Sequence, residues 1–277
     1  MAKNAKQSDA AKRAVVVANE KGGVGKTVAA RALIDHLRSD EVLRSNGVRV
    51  AAYDADGGVG GLVRVLGTRG SDGRLIKEQD PIEGIGYYNV RADNERNMLL
   101  DAVASGEPLI VHDLAGGSLA DLMRIVDGGE GLDGLVSAFV QHGYRLTVVH
   151  VISSEIGASQ SVGSWIDLVG DQADHVAVRN TRWGKAASDF PFWHGFVDSN
   201  NVSKGGKTRE RLLELGGVEI DLPALPAGTF AKVDASNLPF SKAINDASLT
   251  ITEKAHVQKF IKDFANALAP ARSLLGF

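Results

Sequence analysis

The residues NEKGGVGKTV, Asn19 to Val28, follow the apolar run AVVVA (Ala14 to Ala18) and lead into VAARALIDHL, whose apolar residues recur at helical spacing. A continuous β-branched run requires cover on both faces, as in a parallel sheet. A glycine turn joining such a strand directly to a helix therefore restricts the chain to a narrow set of α/β folds. Gly22, Gly23 and Gly25, with Val24 between them, let the backbone turn tightly and present its N–H groups. The helix beginning near Lys26 aims its positive dipole end at the same point. This is the composition of a phosphate cradle, in which Lys26 reaches the β and γ phosphates of a nucleotide and the Thr27 hydroxyl is a magnesium ligand. Lys21, five positions before Lys26, is a second lysine that a cradle does not need. The ordinary GxxxxGK[ST] pattern is not fully met, because Glu20 stands at its first glycine; KGGxGK[ST] is what matches.

Six further strand-like runs alternate with helical stretches: VRVAAYD (48–54), GYYNV (86–90), PLIVHD (108–113), RLTVVHVI (145–152), HVAVRN (175–180) and VEIDLPAL (218–225). Alternation of this kind predicts an α/β fold of P-loop NTPase architecture, a mainly parallel sheet with helices on both faces and ligands at the carboxyl ends of the strands. At 277 residues one large domain over 14–277 is expected, preceded by a flexible polar tail over 1–13. Two glycine-rich stretches, 55–61 and 127–134, read as mobile connections. Thr250 and Glu253 form a capping box for a final helix with Val257, Phe260, Ile261, Phe264 and Leu268 on one face, ended by Pro270.

Composition narrows the function. The chain has no cysteine, which excludes disulfides, zinc ribbons and thiolate-bound clusters. A net charge of −3 gives no global attraction to nucleic acid. The first thirteen residues are polar and no apolar run approaches 18 residues, so neither a signal peptide nor a spanning helix is expected, and a cytoplasmic location follows.

Hydrolysis needs more than a cradle. Asp54 and Asp56 end the second strand, and their two-residue spacing puts both carboxylates on one side of an extended chain. Asp113 ends the apolar run LIVHD and precedes the small residues Ala115, Gly116 and Gly117. Each aspartate taken alone can also be the cap of a following helix. Alternation turns His112 to the opposite face, where it packs.

The KGGVGKT loop, the DAD of the second strand and the LIVHDLAGG run, in this order, resemble the deviant Walker A, switch I and Walker B–switch II elements of the ParA/MinD family of dimeric ATPases. The resemblance implies that Lys21 crosses a dimer interface to the phosphates held by the partner, that Asp54 and Asp113 hold magnesium through water, and that Asp56 orients the attacking water. The absence of cysteine excludes the family's nitrogenase iron protein branch. By the same resemblance Asn180, at the end of VAVRN, and Pro226 and Ala227, in LPALPAG, lie nearest the adenine. Many relatives carry threonine at Val28, so one hydroxyl bond to the α-phosphate, about 1 kcal/mol, is missing here. The family often follows its DxD with Pro-Gln-Gly; Gly57-Gly58 here suggests a looser switch I.

ATP/ADP and Mg2+ are the implied cofactors, and an ATP-bound homodimer is the implied state, with a protein activator or cargo. Arg179, Arg182, Lys185, Lys204, Lys207, Arg209 and Arg211 stand against Asp189, Asp198 and Glu210, a local balance of +4 that reads either as solvated charge or as a surface for non-specific DNA. Only ARSLLGF follows Pro270, too short and too weakly basic for a membrane-binding helix. The segment WGKAASDFPFWHGF (183–196) aligns with nothing in the family and reads as a satellite aromatic cluster or a partner surface. Two rival functions remain: a P-loop ligase or small-molecule kinase resembling dethiobiotin synthetase, which has no need of Lys21, and a nucleotide-bound scaffold that does not hydrolyse.

Overall fold

A computed structural model describes residues 12–57 and 61–277. Its centre is a parallel sheet of β1 (Lys12–Ala18), β2 (Val50–Asp54), β3 (Gly86–Tyr87), β4 (Leu109–Asp113), β5 (Tyr144–Ile152) and β6 (Asp174–Asn180), closed at one edge by a strand at Val218–Leu222. A small antiparallel ribbon, β7 (Phe196–Val197) and β8 (Ser203–Lys204), precedes that last strand, β9. The sheet order is β3-β2-β4-β1-β5-β6-β9, so the chain reverses direction across the sheet at β1. In open α/β sheets ligands bind at such a reversal, beyond the strand carboxyl ends.

All seven expected strands are present. β1 begins two residues earlier than expected, at Lys12, because Arg13 is not part of a tail. It pairs in register with Leu109 and Arg145, and its guanidinium is buried against Asp174 at 2.8 Å. Residues 1–11 of the expected tail, and 58–60 of the first glycine-rich stretch, lie outside the described residues. The second glycine-rich stretch is pinned rather than loose: the Asp127 carboxylate accepts the Gly134 and Leu135 N–H groups and so fixes the start of the helix Asp133–Gln141.

Helices cover both faces, as the apolar strands require. On one side Leu33, Leu62, Val257, Phe260 and Phe264 pack on Val15, Val17 and Val111; on the other Leu135, Phe139 and Trp165 pack on Val16, Ile110 and Val148. The capping box at Thr250 and Glu253 forms as expected. A cap contributes about 1 kcal/mol, whereas each fully buried Phe or Val contributes about 1.5–3, so the apolar face decides where the helix Ile251–Ala267 lies. His112 is packing, stacked on Tyr53 with ring centroids 4.9 Å apart and bonded to the Tyr88 hydroxyl at 3.1 Å.

A second buried histidine gives a test of the core. His175 Nε2 lies 2.8 Å from the Gly170 carbonyl and must donate to it, which leaves Nδ1 to accept from His150 Nε2 at 3.0 Å. Burial holds His150 well below its ordinary pKa of 6.5, and the neighbouring His175 adds to that shift. A depressed folded-state value stabilises fully above the unfolded pKa and is lost as pH falls. The advantage of the native chain over His150→Gln, read from urea midpoints, should therefore shrink steadily as pH falls from 6.5 to 5. A pH-independent advantage would show that His150 is not held neutral.

Candidate functional site

Strand register builds the site. Val17 of β1 lies opposite Asp113 of β4, and Asp113 lies opposite Asp54 of β2, so the loop after β1 starts beside both carboxylates. Neighbouring strands are about 4.8 Å apart, so the two carboxylates start from adjacent positions beside the loop.

The loop folds as a cradle. Asn19 fixes its start: its amide donates to the Val151 and Ala158 carbonyls, and its Oδ1 accepts the Lys21 N–H at 2.8 Å. Gly25 has φ 103°, and a Cβ there would lie 2.4 Å from Asn180 Nδ2, so no other residue fits. The helix Lys26–Ser39 starts directly behind it, with Val28 packed partly against the core.

The two lysines diverge. Lys26 is buried and turns inward, its Nζ 3.4 Å from the Lys21 carbonyl. Burial lowers its pKa, while Asp113, Glu20 and Asp56 oppose that shift. Lys21 turns outward to the rim, where its half-exposed ammonium meets Glu155 at 3.1 Å.

Asp113 is buried, bonded to the Thr27 side chain, and pushed up to about 8 by desolvation. Its Oδ1 has no hydrogen-bond partner among the described residues. Asp54 accepts the N–H groups of Asp56, Leu62 and Val63, so its carboxylate closes the turn from β2 into the helix Gly61–Leu66. Among the described residues no group of three or more side chains forms a metal cluster by itself. The orphaned Asp113 oxygen beside the Thr27 hydroxyl does fit a hydrated Mg2+ that completes its shell from phosphate and water.

Asp56 is half-exposed at the mouth and pairs with Arg91 at 3.3 Å. Arg91 also donates to the Gly116 carbonyl, and Glu20 accepts the Leu119 N–H at 3.2 Å, so the β1 and β2 loops are both tied to the loop after β4. Sequence reasoning missed these contacts. Nothing local marks Arg91, which reaches Asp56 only through the fold.

Asn180 lies against the loop: Nδ2 donates to the Val24 carbonyl at 2.8 Å and Oδ1 accepts the Arg182 N–H at 3.1 Å. Its amide braces the cradle. Pro226 precedes the helix Ala227–Ala235, and Pro226 and Thr181 line a cleft of about 680 Å³ that includes none of the phosphate-loop residues.

The basic segment is largely neutralised by carboxylates distant in sequence. Arg179 pairs with Asp221, Arg209 with Glu219, and Arg211 with Asp167, while Lys204 meets Asp198. Adding Asp167, Glu219 and Asp221 sets seven cations against six carboxylates, in place of +4. Arg182, Lys185 and Lys207 have no carboxylate partner among the described residues. In the aromatic segment Phe190 and Trp193 are buried with Val162 and Leu212, the Trp193 indole donating to Glu219, while Trp183 and Phe196 are exposed. No helix among the described residues is long and apolar enough to cross a membrane.

No protein-family model matches the chain, and no curated protein matches it. Among solved structures it is similar to a nucleotide-binding protein from Archaeoglobus fulgidus in complex with ADP, at 16% identity over 82% of this chain and 86% of that one, with a TM-score of 0.42. It is also similar to a ParA family ATPase from Chlorobium tepidum, at 14% identity over 94% and 100%, with a TM-score of 0.47. A third likeness is to apo McdA from Cyanthece, at 10% identity over 92% and 99%, with a TM-score of 0.45.

Proposed function

We propose that the chain is an ATPase of the deviant Walker A type, a switch that dimerises around ATP and times its association with a partner by slow hydrolysis. The observation that carries this reading is the divergence of the two lysines from one loop. Lys26 is buried toward Asp113 and Thr27, where phosphates and metal belong, while Lys21 stands on the rim with its ammonium directed away from its own cradle. A ligase or kinase that works as a monomer has no use for the outward lysine.

Bound with the nucleotide, Mg2+ would be held by Thr27, with Asp54 and Asp113 acting through water, and would offset phosphate charge. The chain supplies the rest. Lys26 and the loop N–H groups hold the β and γ phosphates, and Lys21 contributes charge to the partner's site, as a cation supplied in trans. Asp56, at the mouth, orients the water that attacks the terminal phosphorus and releases ADP and phosphate. Catalysis of this kind is mostly positioning and charge stabilisation, so a loosely held water gives slow turnover. DNA contact, if it is the partner interaction, falls to Arg182, Lys185 and Lys207, and its affinity should fall steeply with salt. A protein activator or cargo remains the other partner class.

Lys26→Ala should abolish nucleotide binding, because the phosphates lose their buried cation. Calorimetry showing ATP affinity within about threefold of the native chain would contradict the cradle assignment, since a charged hydrogen bond contributes ~1.5–3 kcal/mol.

Lys21→Ala should retain monomeric nucleotide binding but lose dimerisation and turnover, and Asp56→Ala should bind ATP and accumulate as an inactive dimer. Mixing the two variants distinguishes the role of Lys21. If it serves the opposite site, both defects fall in the site of the Asp56→Ala subunit, and the other site is intact. Phosphate release should then recover to about half the native rate per heterodimer, because one of two sites works. If Lys21 serves its own nucleotide, each site carries one defect, and confirmed heterodimers stay inactive.

A further inference from the structure

Arg91 has no place in the site as the sequence presents it, yet its side chain spans the mouth. One guanidinium nitrogen lies 3.3 Å from Asp56 Oδ1, and the other donates to the Gly116 carbonyl. One side chain thus joins the loop after β2 to the loop after β4. Gly116 in turn is packed on the cradle. A methyl group there would lie 3.3 Å from Lys26 Nζ and 3.6 Å from both the Glu20 carbonyl oxygen and the Gly22 nitrogen. Arg91 therefore holds the residue that crowds the lysine and the loop N–H groups a terminal phosphate requires.

The segment carrying Arg91 is fixed in place. Asp56 and Asn89 form an antiparallel bridge, Gly57 N–H donates to the Tyr88 carbonyl, and Val90 N–H donates to the Ala55 carbonyl. Asn89 Oδ1 accepts the Arg91 N–H at 3.0 Å, and the buried Arg96 donates to the Arg91 carbonyl at 3.1 Å. Both main-chain polar groups of Arg91 are engaged, and its half-exposed side chain is the part free to exchange partners.

Resting on the reading of the loop as an ATP site, we infer that Arg91 distinguishes triphosphate from diphosphate, exchanging the Gly116 carbonyl for the terminal phosphate of the nucleotide bound in the same subunit. The direction of exchange follows from the acceptors. Gly116 offers a neutral carbonyl, whereas a terminal phosphate offers several anionic oxygens in the geometry a guanidinium fork matches, and charge-assisted bonds are about twice as strong. ADP lacks that group, so the tie between Arg91 and Gly116 persists with ADP. Release of Gly116 is then the first structural consequence of ATP binding, while the other guanidinium nitrogen keeps its contact with Asp56.

The test compares Mg-ADP with a magnesium complex of a non-hydrolysable ATP analogue by calorimetry, on the native chain, Arg91→Ala and Arg91→Lys. Arg91→Ala should weaken the analogue by roughly tenfold or more, the scale of one charge-assisted bond, and leave ADP within about threefold. Arg91→Lys should recover part of the loss, since it keeps the charge without the fork. Where Arg91→Ala does not fold, as judged by its thermal transition, Arg91→Gln replaces it. Equal weakening of both nucleotides would make Arg91 a structural tie, and unchanged or tighter analogue binding would show that the guanidinium does not reach the phosphate; either result overturns the inference alone. A native chain that binds neither nucleotide overturns the ATP-site reading and this inference with it.

Discussion

The site depends on one constraint, the common register of β1, β4 and β2 at their carboxyl ends. Because the three strands are parallel and hydrogen-bonded without a shift, the residue entering the phosphate loop, Asp113 and Asp54 arrive at one level of the sheet. A slip of one residue would turn each aspartate to the opposite face. Burial on both faces forbids that slip, since it would exchange the two sets of core side chains around Val15 and Val16.

That register has an electrostatic consequence. Asp54 and Asp113 are brought together in a buried place, where desolvation disfavours ionisation and a neighbouring carboxylate, Asp56 for Asp54 and Asp54 for Asp113, disfavours it further, so the pKa values of both carboxyls are raised. Asp54 is relieved by three N–H donors, whereas Asp113 keeps one oxygen without a partner. Lys26 is the buried cation facing this group, and its own charge is penalised by burial. One carboxylate oxygen and one penalised ammonium thus face each other in the interior of the site. The same reasoning explains why the rim lysine, Lys21, is held by an exposed carboxylate rather than by the interior.

Connections between loops follow from the same geometry. Glu20 from the cradle reaches Leu119, and Arg91 reaches Asp56 and Gly116, so the loop after β4 is tied to both neighbouring loops by charged side chains. These contacts are local in space and distant in sequence.

Much was legible in the chain alone because it rests on local rules. Periodicity marked all seven sheet strands, the glycine spacing marked the loop, and Thr250 with Glu253 marked the last helix, since each signal concerns residues within a few positions of one another. Other features became visible only when the chain closed on itself. Arg13 is a buried strand residue because Asp174 waits for it across the sheet. The charge of the segment 179–211 is largely cancelled because Asp167, Glu219 and Asp221 come from other elements. Asn180 braces Val24, and Arg91 spans the mouth, through contacts that no spacing predicts. The sequence by itself determined which groups could meet a phosphate, for that is a matter of residue type beside a strand and a helix. Only the tertiary structure decided which charges remain free and which loops are tied together, because pairing depends on distance through space, and burial sets how strongly each pair is felt.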